Sequence, residues 1–199
     1  MNRIKHFVMA AVVLGLAVSI ATWGYINQPQ PVGALINPPQ PMPNFELLDQ
    51  NGKLTRLSDL RGKAVLMIFG YTHCPDVCPL SLVNFKRIKA GLGEAAGKIN
   101  FVFISVDGER DTPEVMKAYV DSFDSTFMGL TERAFVVALV AAPYGARFER
   151  KITRTNQAEY VVGHTADTYL LDAEGRLLKK YAYGTEPERM AQDVMRLLN

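Results

Sequence analysis

Residues 64–79 read AVLMIFGYTHCPDVCP, and this stretch decides how the rest of the chain is interpreted. Its first six residues (64–69) form a continuous apolar run of strand length, which is typical of a buried central strand. The cysteines Cys74 and Cys78 follow at once, and helical spacing begins at residue 80. The stretch therefore predicts a strand, a turn that carries two thiols, and a helix.

The flanking sequence extends this alternation of strands and helices. Strand patterns lie at residues 45–48, 54–57, 64–69, 100–106, 168–171 and 177–183. Helical patterns lie at residues 80–92, 112–123, 131–142 and 186–198, and Thr131 is the expected cap of the third. Turn sequences at Asn51-Gly52 and at residues 172–175 predict two hairpins. This order predicts an α/β fold in which a sheet of mixed direction is flanked by helices.

The amino terminus carries the pattern of a membrane anchor. Residues 7–24 contain no charge and follow the basic residues Arg3 and Lys5. An apolar run of about 18–20 residues can span a bilayer, and basic residues on its short side place that end in the cytoplasm. A cleaved signal peptide is the alternative, because Ser19 and Ala21 form a small-x-small site. Both interpretations export the rest of the chain.

A proline- and glutamine-rich stretch separates this segment from the patterned sequence. We therefore expect a transmembrane helix within residues 1–26, an extended tether at 27–43 and a folded domain at 44–199. The short basic leader lacks the arginine- and serine-rich composition of a transit peptide. We expect a single-pass protein of the bacterial inner membrane whose domain faces the periplasm.

Charge and cysteine content exclude several classes of protein. Without Arg3 and Lys5, 20 basic residues balance 20 acidic ones, and no basic stripe indicates a nucleic-acid binder. Two cysteines are too few for a disulfide-rich scaffold or a four-cysteine zinc site. A purely structural disulfide between Cys74 and Cys78 would close a small loop and stabilise little.

The two thiols are the chemical signal of the chain. A helix that starts near Cys74 would place both cysteines on one face, and its N-terminus would lower the thiol pKa. Two thiolates and an imidazole form a soft site that suits copper. His164 is the candidate third ligand, in a loop before the strand at 168. His73 is the alternative, but neighbouring side chains usually point apart, and His6 lies on the cytoplasmic side.

Acidic and basic residues near the motifs have two interpretations. Asp76 lies between the thiols, where a solvated loop residue is favoured over a weak ligand. Asp107 and Arg110 follow the second buried strand, so they are expected near the cysteines at the carboxyl edge of the sheet. The alternative is a simple capping loop in which Asp111 or Thr112 begins the next helix.

Taken together, these residues resemble the Sco/SenC family, copper chaperones of cytochrome c oxidase assembly. The matching stretches are residues 69–79 (FGYTHCPDVCP), 104–119 (ISVDGERDTPEVMKAY) and 163–172 (GHTADTYLLD). The resemblance implies a thioredoxin-like fold and copper ligation by Cys74, Cys78 and His164. It also implies delivery of copper to the binuclear centre of oxidase subunit II, or to another exported cuproprotein. Two positions depart from the family pattern, which often has Asp at Gly163 and Pro at Gly108.

Two enzymatic functions remain open beside the metal carrier. A thiol–disulfide oxidoreductase would use the same cysteines, for example to reduce those of the oxidase centre, and would not need His164. Three residues separate Cys74 from Cys78, whereas thioredoxin-type enzymes typically have two in a CxxC motif, and this difference weighs against the enzyme. A redoxin-type peroxidase is the third hypothesis, suggested by the start of the domain, and needs a low-pKa thiolate and a resolving thiol.

Overall fold

The computed structural model describes residues 33–152 and 160–198, together with positions 9, 13–16 and 19. The chain divides into two units, Met1–Gln30 and Pro31–Asn199. Apart from those few positions, the anchor predicted at 1–26 and the first part of the tether lie outside the described residues. Among the residues that are described, no helix is both long and apolar enough to cross a membrane.

The second unit contains the strands and helices that build the site. The strands are β1 (Leu35–Pro41), β2 (Glu46–Asp49), β3 (Leu54–Arg56), β4 (Ala64–Gly70), β5 (Ile99–Ser105), β6 (Met128–Thr131), β7 (Phe148–Ile152), β8 (Tyr160–His164), β9 (Thr168–Leu171) and β10 (Arg176–Tyr181). The α-helices are α1 (Val77–Leu92), α2 (Pro113–Phe123), α3 (Ala134–Ala141) and α4 (Pro187–Leu198). Short 3-10 helices occur at Leu57–Leu60, Gly93–Lys98 and Ala142–Tyr144.

Eight of these strands form one mixed sheet in the order β1-β10-β9-β4-β5-β6-β2-β3. Strands β4, β5 and β6 run parallel to one another, and the other pairings are antiparallel. Strands β7 and β8 form a separate antiparallel hairpin. The predicted α/β fold with a mixed sheet and flanking helices is therefore confirmed.

The hydrophobic core lies around the two central strands. All seven residues of β4 are buried, as expected for a parallel strand covered on both faces. From β5, Phe101 packs 5.4 Å from Phe85 of α1, and Phe103 packs 5.5 Å from Tyr119 of α2, measured between ring centroids. This packing fixes both helices against the sheet, so the residues that precede them are held at its edge.

Part of the predicted tether belongs to the sheet. Residues 35–41 form β1, which pairs with β10 at the sheet edge, so folded structure begins before residue 44. The sequence pattern indicated that this segment is an extended linker, because its prolines lack an N–H group. An edge strand tolerates such residues because one side of it needs no partner.

The helix predicted at residues 131–142 begins later than expected. Thr131 is not its cap but the last residue of β6, and α3 starts at Ala134. The buried hydroxyl of Thr131 donates to the backbone oxygen of Asp111 at 2.7 Å. This tertiary hydrogen bond, together with pairing to Leu48 of β2, holds the residue in the sheet.

Candidate metal centre

The cysteine loop and the loop after β5 meet at the carboxyl edge of the sheet. Strand β4 ends at Gly70 and β5 at Ser105, and the N–H of Val106 donates to the oxygen of Gly70 at 2.8 Å. Neighbouring parallel strands deliver their following loops to one edge, where functional crevices form. The expectation that the Asp107 segment lies near the cysteine loop is confirmed.

A buried carboxylate joins the two loops. Asp111 is fully buried, and its oxygens accept hydrogen bonds from the N–H of Thr72 at 2.9 Å and from the hydroxyl of Thr72 at 2.6 Å. Ser105 donates a third hydrogen bond, at 2.6 Å. Because a buried carboxylate requires such partners, Asp111 fixes the start of the cysteine loop. The cap of α2 is Thr112, whose hydroxyl accepts from the N–H of Val115.

The two cysteines lie on either side of the start of α1. The helix begins at Val77, after Cys74 but three residues before the helical pattern predicted from residue 80, so Cys78 is in its first turn and Cys74 is in the preceding turn. The N–H of Cys74 donates to the oxygen of Tyr71 at 3.2 Å. Both thiols are free and nearly covered, with 9% of Cys74 and 2% of Cys78 exposed.

His164 reaches these thiols from the hairpin. It ends β8 rather than lying in a loop as expected, and its Nε2 is 3.3 Å from Sγ of Cys78. Its Nδ1 is 3.0 Å from the backbone oxygen of Thr165. Since a carbonyl oxygen only accepts, Nδ1 carries the proton and Nε2 presents a lone pair to the sulfur. This is the arrangement in which metal-binding histidines are held by a second partner.

The sulfur and nitrogen atoms converge on one point. One ligand atom from each of Cys74, Cys78 and His164 lies within 4.8 Å of the others. Among the residues that the structure describes, these three form the cluster that could hold a metal ion. The ring of Tyr71 stands edge-on to His164, with centroids 5.8 Å apart. The sequence did not assign a role to Tyr71 or to the Thr165 carbonyl, although both residues lie within the matching stretches 69–79 and 163–172.

Burial governs the electrostatics of these groups. Desolvation raises the pKa of the Cys78 thiol strongly, so the expected lowering by the helix N-terminus is wrong for this residue. Desolvation also lowers the pKa of His164, against the opposing effect of its hydrogen bond to Thr165. The imidazole is thereby kept neutral, as a ligand must be, while a bound cation would supply the charge that stabilises a thiolate.

Two residues considered as ligands lie outside the group. His73 is about half exposed, and its Nδ1 faces the Thr72 hydroxyl at 3.0 Å and the Asp111 carboxylate at 3.6 Å. Asp76 is exposed at the start of α1 and makes no capping hydrogen bond with its side chain. These positions agree with the interpretation of Asp76 as a solvated loop residue.

Comparison with known proteins assigns the chain to a family. The SCO1/SenC family model matches residues 34–199. The chain belongs to the SCO1/SenC family. An SCO2-like protein of Rickettsia prowazekii is 38% identical over 137 residues, which are 69% of this chain and 67% of that protein.

Solved structures of Sco proteins share the fold. Copper-bound ScoI of Bradyrhizobium japonicum is 41% identical, with a TM-score of 0.71 over 78% of this chain and 98% of that one. Apo Sco1 of Thermus thermophilus is 36% identical, with a TM-score of 0.74 over 83% of this chain and 95% of that one. This Sco chain therefore has the thioredoxin-like mixed sheet flanked by helices that its sequence resemblance implied.

The two departures from the family pattern have different structural consequences. A Cβ at Gly108 would collide with the backbone oxygen of Glu132, so the loop is built around the absence of a side chain. At the exposed Gly163, an added Cβ would make only ordinary contacts, the shortest of them with Cε of Lys151 at 3.6 Å. The first departure is thus fixed by packing in this Sco chain, whereas the second leaves room for a side chain beside a basic residue.

Proposed function

We propose that this chain binds one copper ion through the sulfurs of Cys74 and Cys78 and through Nε2 of His164. The observation that carries the proposal is the convergence of these three ligand atoms within 4.8 Å. Thiolates favour Cu(I), and imidazole suits copper in both common oxidation states. The copper-bound ScoI structure supports the same cargo for a chain that is 41% identical.

We further propose that the copper is cargo for a recipient protein. Sco proteins function in cytochrome c oxidase assembly, and the proposed recipient is the copper centre of oxidase subunit II or of another exported cuproprotein. Three ligands leave room for an incoming ligand, which a carrier needs for transfer. Cys74 is more exposed than Cys78, so it is the sulfur that a recipient reaches first. His164 and Cys78 would hold the ion as Cys74 exchanges.

The cellular arrangement follows from the amino-terminal sequence. We propose that residues 1–26 anchor the chain in the inner membrane as a single span, with the domain in the periplasm. Protease added to intact spheroplasts should then digest the domain. Without protease, the domain should sediment with the membranes. A domain released in soluble form would support the cleaved signal peptide instead.

Metal analysis of the reduced chain after anaerobic Cu(I) addition tests the copper proposal. We expect one copper per chain, lost in Cys74→Ser and Cys78→Ser and bound more weakly in His164→Ala. The His73→Ala variant is the matched control, because its imidazole adjoins the motif but faces Asp111. Unchanged copper binding in all three ligand variants would refute the proposal.

A thiol–disulfide reductase is the second candidate, favoured by two free thiols close enough to share one ligand cluster. In this reaction the Cys74 thiolate would attack a substrate disulfide, and Cys78 would resolve the mixed disulfide and leave both protein sulfurs oxidised. The burial that raises the pKa of Cys78 disfavours it as the attacking group. Reductase activity that survives in His164→Ala, without copper binding by the parent chain, would favour this function.

A further inference from the structure

Two guanidinium groups lie over the ring of Tyr160, at the start of β8. The Cζ atom of Arg110 is 3.7 Å from the ring centroid, and that of Arg150 is 4.2 Å from it. Cations are attracted to the electron-rich faces of aromatic rings, and guanidinium groups also stack on them. Two positive groups are therefore held against the Tyr160 ring.

Hydrogen bonds fix the remaining degrees of freedom of Tyr160. Its hydroxyl donates to Oδ1 of Asp107 at 2.6 Å, and its backbone oxygen accepts from Arg110 at 3.2 Å. Asp107 is fully buried, and its Oδ2 accepts from Nε of Arg110 at 2.5 Å. Arg150 pairs with Glu109 at 2.9 Å. We call Asp107, Arg110, Arg150 and Tyr160 the Tyr160 cluster.

This cluster joins the hairpin that carries His164 to the loop that follows β5. Strands β7 and β8 share no ladder with the eight-stranded sheet, and a two-stranded hairpin has little stability of its own. Tyr160 and His164 are the two ends of β8, and alternation places their side chains on one face with Val162 between them. Val162 is buried, so this face of the hairpin is the one turned toward the domain.

The position of His164 consequently depends on how β8 is held. The two cysteines are fixed by β4, α1 and Asp111, whereas the imidazole comes from the hairpin. A shift of β8 by one residue would turn its side chains to the opposite face. At the His164 end, the N–H of Thr165 donates to the oxygen of Arg147, which directly precedes β7. This hydrogen bond therefore joins the two ends of the hairpin and does not attach it to the sheet.

We propose that the Tyr160 cluster sets the register and tilt of β8 and so holds Nε2 of His164 beside the sulfur of Cys78. Arg110 and Asp107 are positioning residues in this proposal, which rests on the copper site proposed above. They act through Tyr160 and are not themselves ligands. The cluster accounts for a buried carboxylate and two arginines that the ligand set does not use.

A double-mutant cycle tests the proposal with Cu(I) as the probe. Affinity is measured by anaerobic competition with a chromophoric chelator for the parent chain, Arg110→Gln, His164→Ala and the double variant. We expect Arg110→Gln to weaken Cu(I) binding by about 10-fold in the parent, a typical effect of an outer partner of a ligand, and hardly at all in His164→Ala. An equal loss in both backgrounds, or no loss in either, would overturn the proposal.

The matched control is Arg133→Gln. Its guanidinium also stacks on an aromatic ring, 4.8 Å from the centroid of Phe135, but this pair lies outside the Tyr160 cluster. Copper affinity should be unchanged in this variant. A loss equal to that of Arg110→Gln would assign the effect to general loss of positive charge and contradict the proposal.

Nuclear magnetic resonance of the metal-free, reduced protein gives a second readout. The Tyr160→Phe variant keeps the ring and removes only the hydroxyl that binds Asp107, so it disturbs folding little. We expect the imidazole nitrogen signals of His164 to move away from the single Nδ1–H tautomer of the parent. Unchanged signals would refute the cluster's role. This measurement tests the role of the cluster without copper. If the parent chain bound no copper, only the proposed function would be refuted.

Discussion

Gly70 offers the sharpest packing test of the site. It ends β4 immediately before the cysteine loop, and a Cβ added there would lie 2.7 Å from Cε2 of Phe103 and 2.9 Å from Sγ of Cys78. Ordinary contacts between carbon atoms are about 3.5–4.0 Å, so the neighbours must retreat by about 0.8 Å. Phe103 and Cys78 are 0% and 2% exposed, which leaves them little room to do so.

The Gly70→Ala variant should therefore lose both stability and copper. Overpacking of a filled core costs about 1–3 kcal/mol, which a urea unfolding curve resolves. Because the displaced atom is a proposed ligand, we expect Cu(I) affinity to fall by about 10-fold or more, as for other disturbances of a ligand's support.

Gly91→Ala is the matched control. This glycine lies within α1, where an added Cβ meets Ala191 at an ordinary 3.6 Å. Alanine is the better helix former, so the variant should gain about 0.5–1 kcal/mol and keep its copper affinity. Parental stability and copper affinity in Gly70→Ala would refute the reasoning, as would equal losses in the two variants.

Three further predictions concern residues around the site and on the surface. Gly108→Ala should lower the free energy of unfolding by about 1–3 kcal/mol, because its Cβ meets the oxygen of Glu132; an unchanged urea midpoint would contradict this. Burial alone would raise the pKa of Asp124, but hydrogen bonds, of which that from Lys89 is the largest, lower it to about 2. The pair therefore stabilises the fold above the unfolded-state pKa of about 4, and its contribution disappears as the pH falls through about 2. Asp124→Asn should cost about 1 kcal/mol at pH 7, with the difference from the parent shrinking in acid; a pH-independent difference would be inconsistent with the ion pair. His73→Ala should leave the copper stoichiometry unchanged, and loss of copper would show that the ligand set is wrong.

The central strands and hairpins could be predicted because their signals are local. Residues 64–69 are apolar throughout, and residues 101–104 form a second continuous apolar run, as a strand buried on both faces requires. The pairing of β9 with β10 was indicated by a turn sequence between two apolar segments, and the structure pairs Lys180 with Tyr169 across it. In such elements, the local sequence pattern is sufficient to predict the structure.

Elements that depend on distant partners could not be predicted in the same way. Strand β6 is only four residues long, and Thr131 resembles a helix cap until its hydrogen bond to Asp111 is known. Strand β1 is rich in proline, and it forms a strand because it pairs with β10. Strand β8 carries His164, but its position depends on contacts made by the Tyr160 ring.

The ligand set was implied by motif resemblance, whereas its electrostatics needed the structure. The sequence placed Cys78 at a helix start and predicted a lowered thiol pKa. Burial acts in the opposite direction and is the larger effect at this sulfur. How deeply a side chain is covered depends on the whole fold, so local sequence does not reveal it.

X-ray absorption spectroscopy of the reduced, Cu(I)-loaded chain tests the central claim most directly, since it counts the atoms bound to copper. The arrangement of Cys74, Cys78 and His164 predicts two sulfur ligands and one imidazole nitrogen, with the imidazole signal absent in His164→Ala. A copper environment without sulfur, or an imidazole signal that persists in His164→Ala, would contradict it.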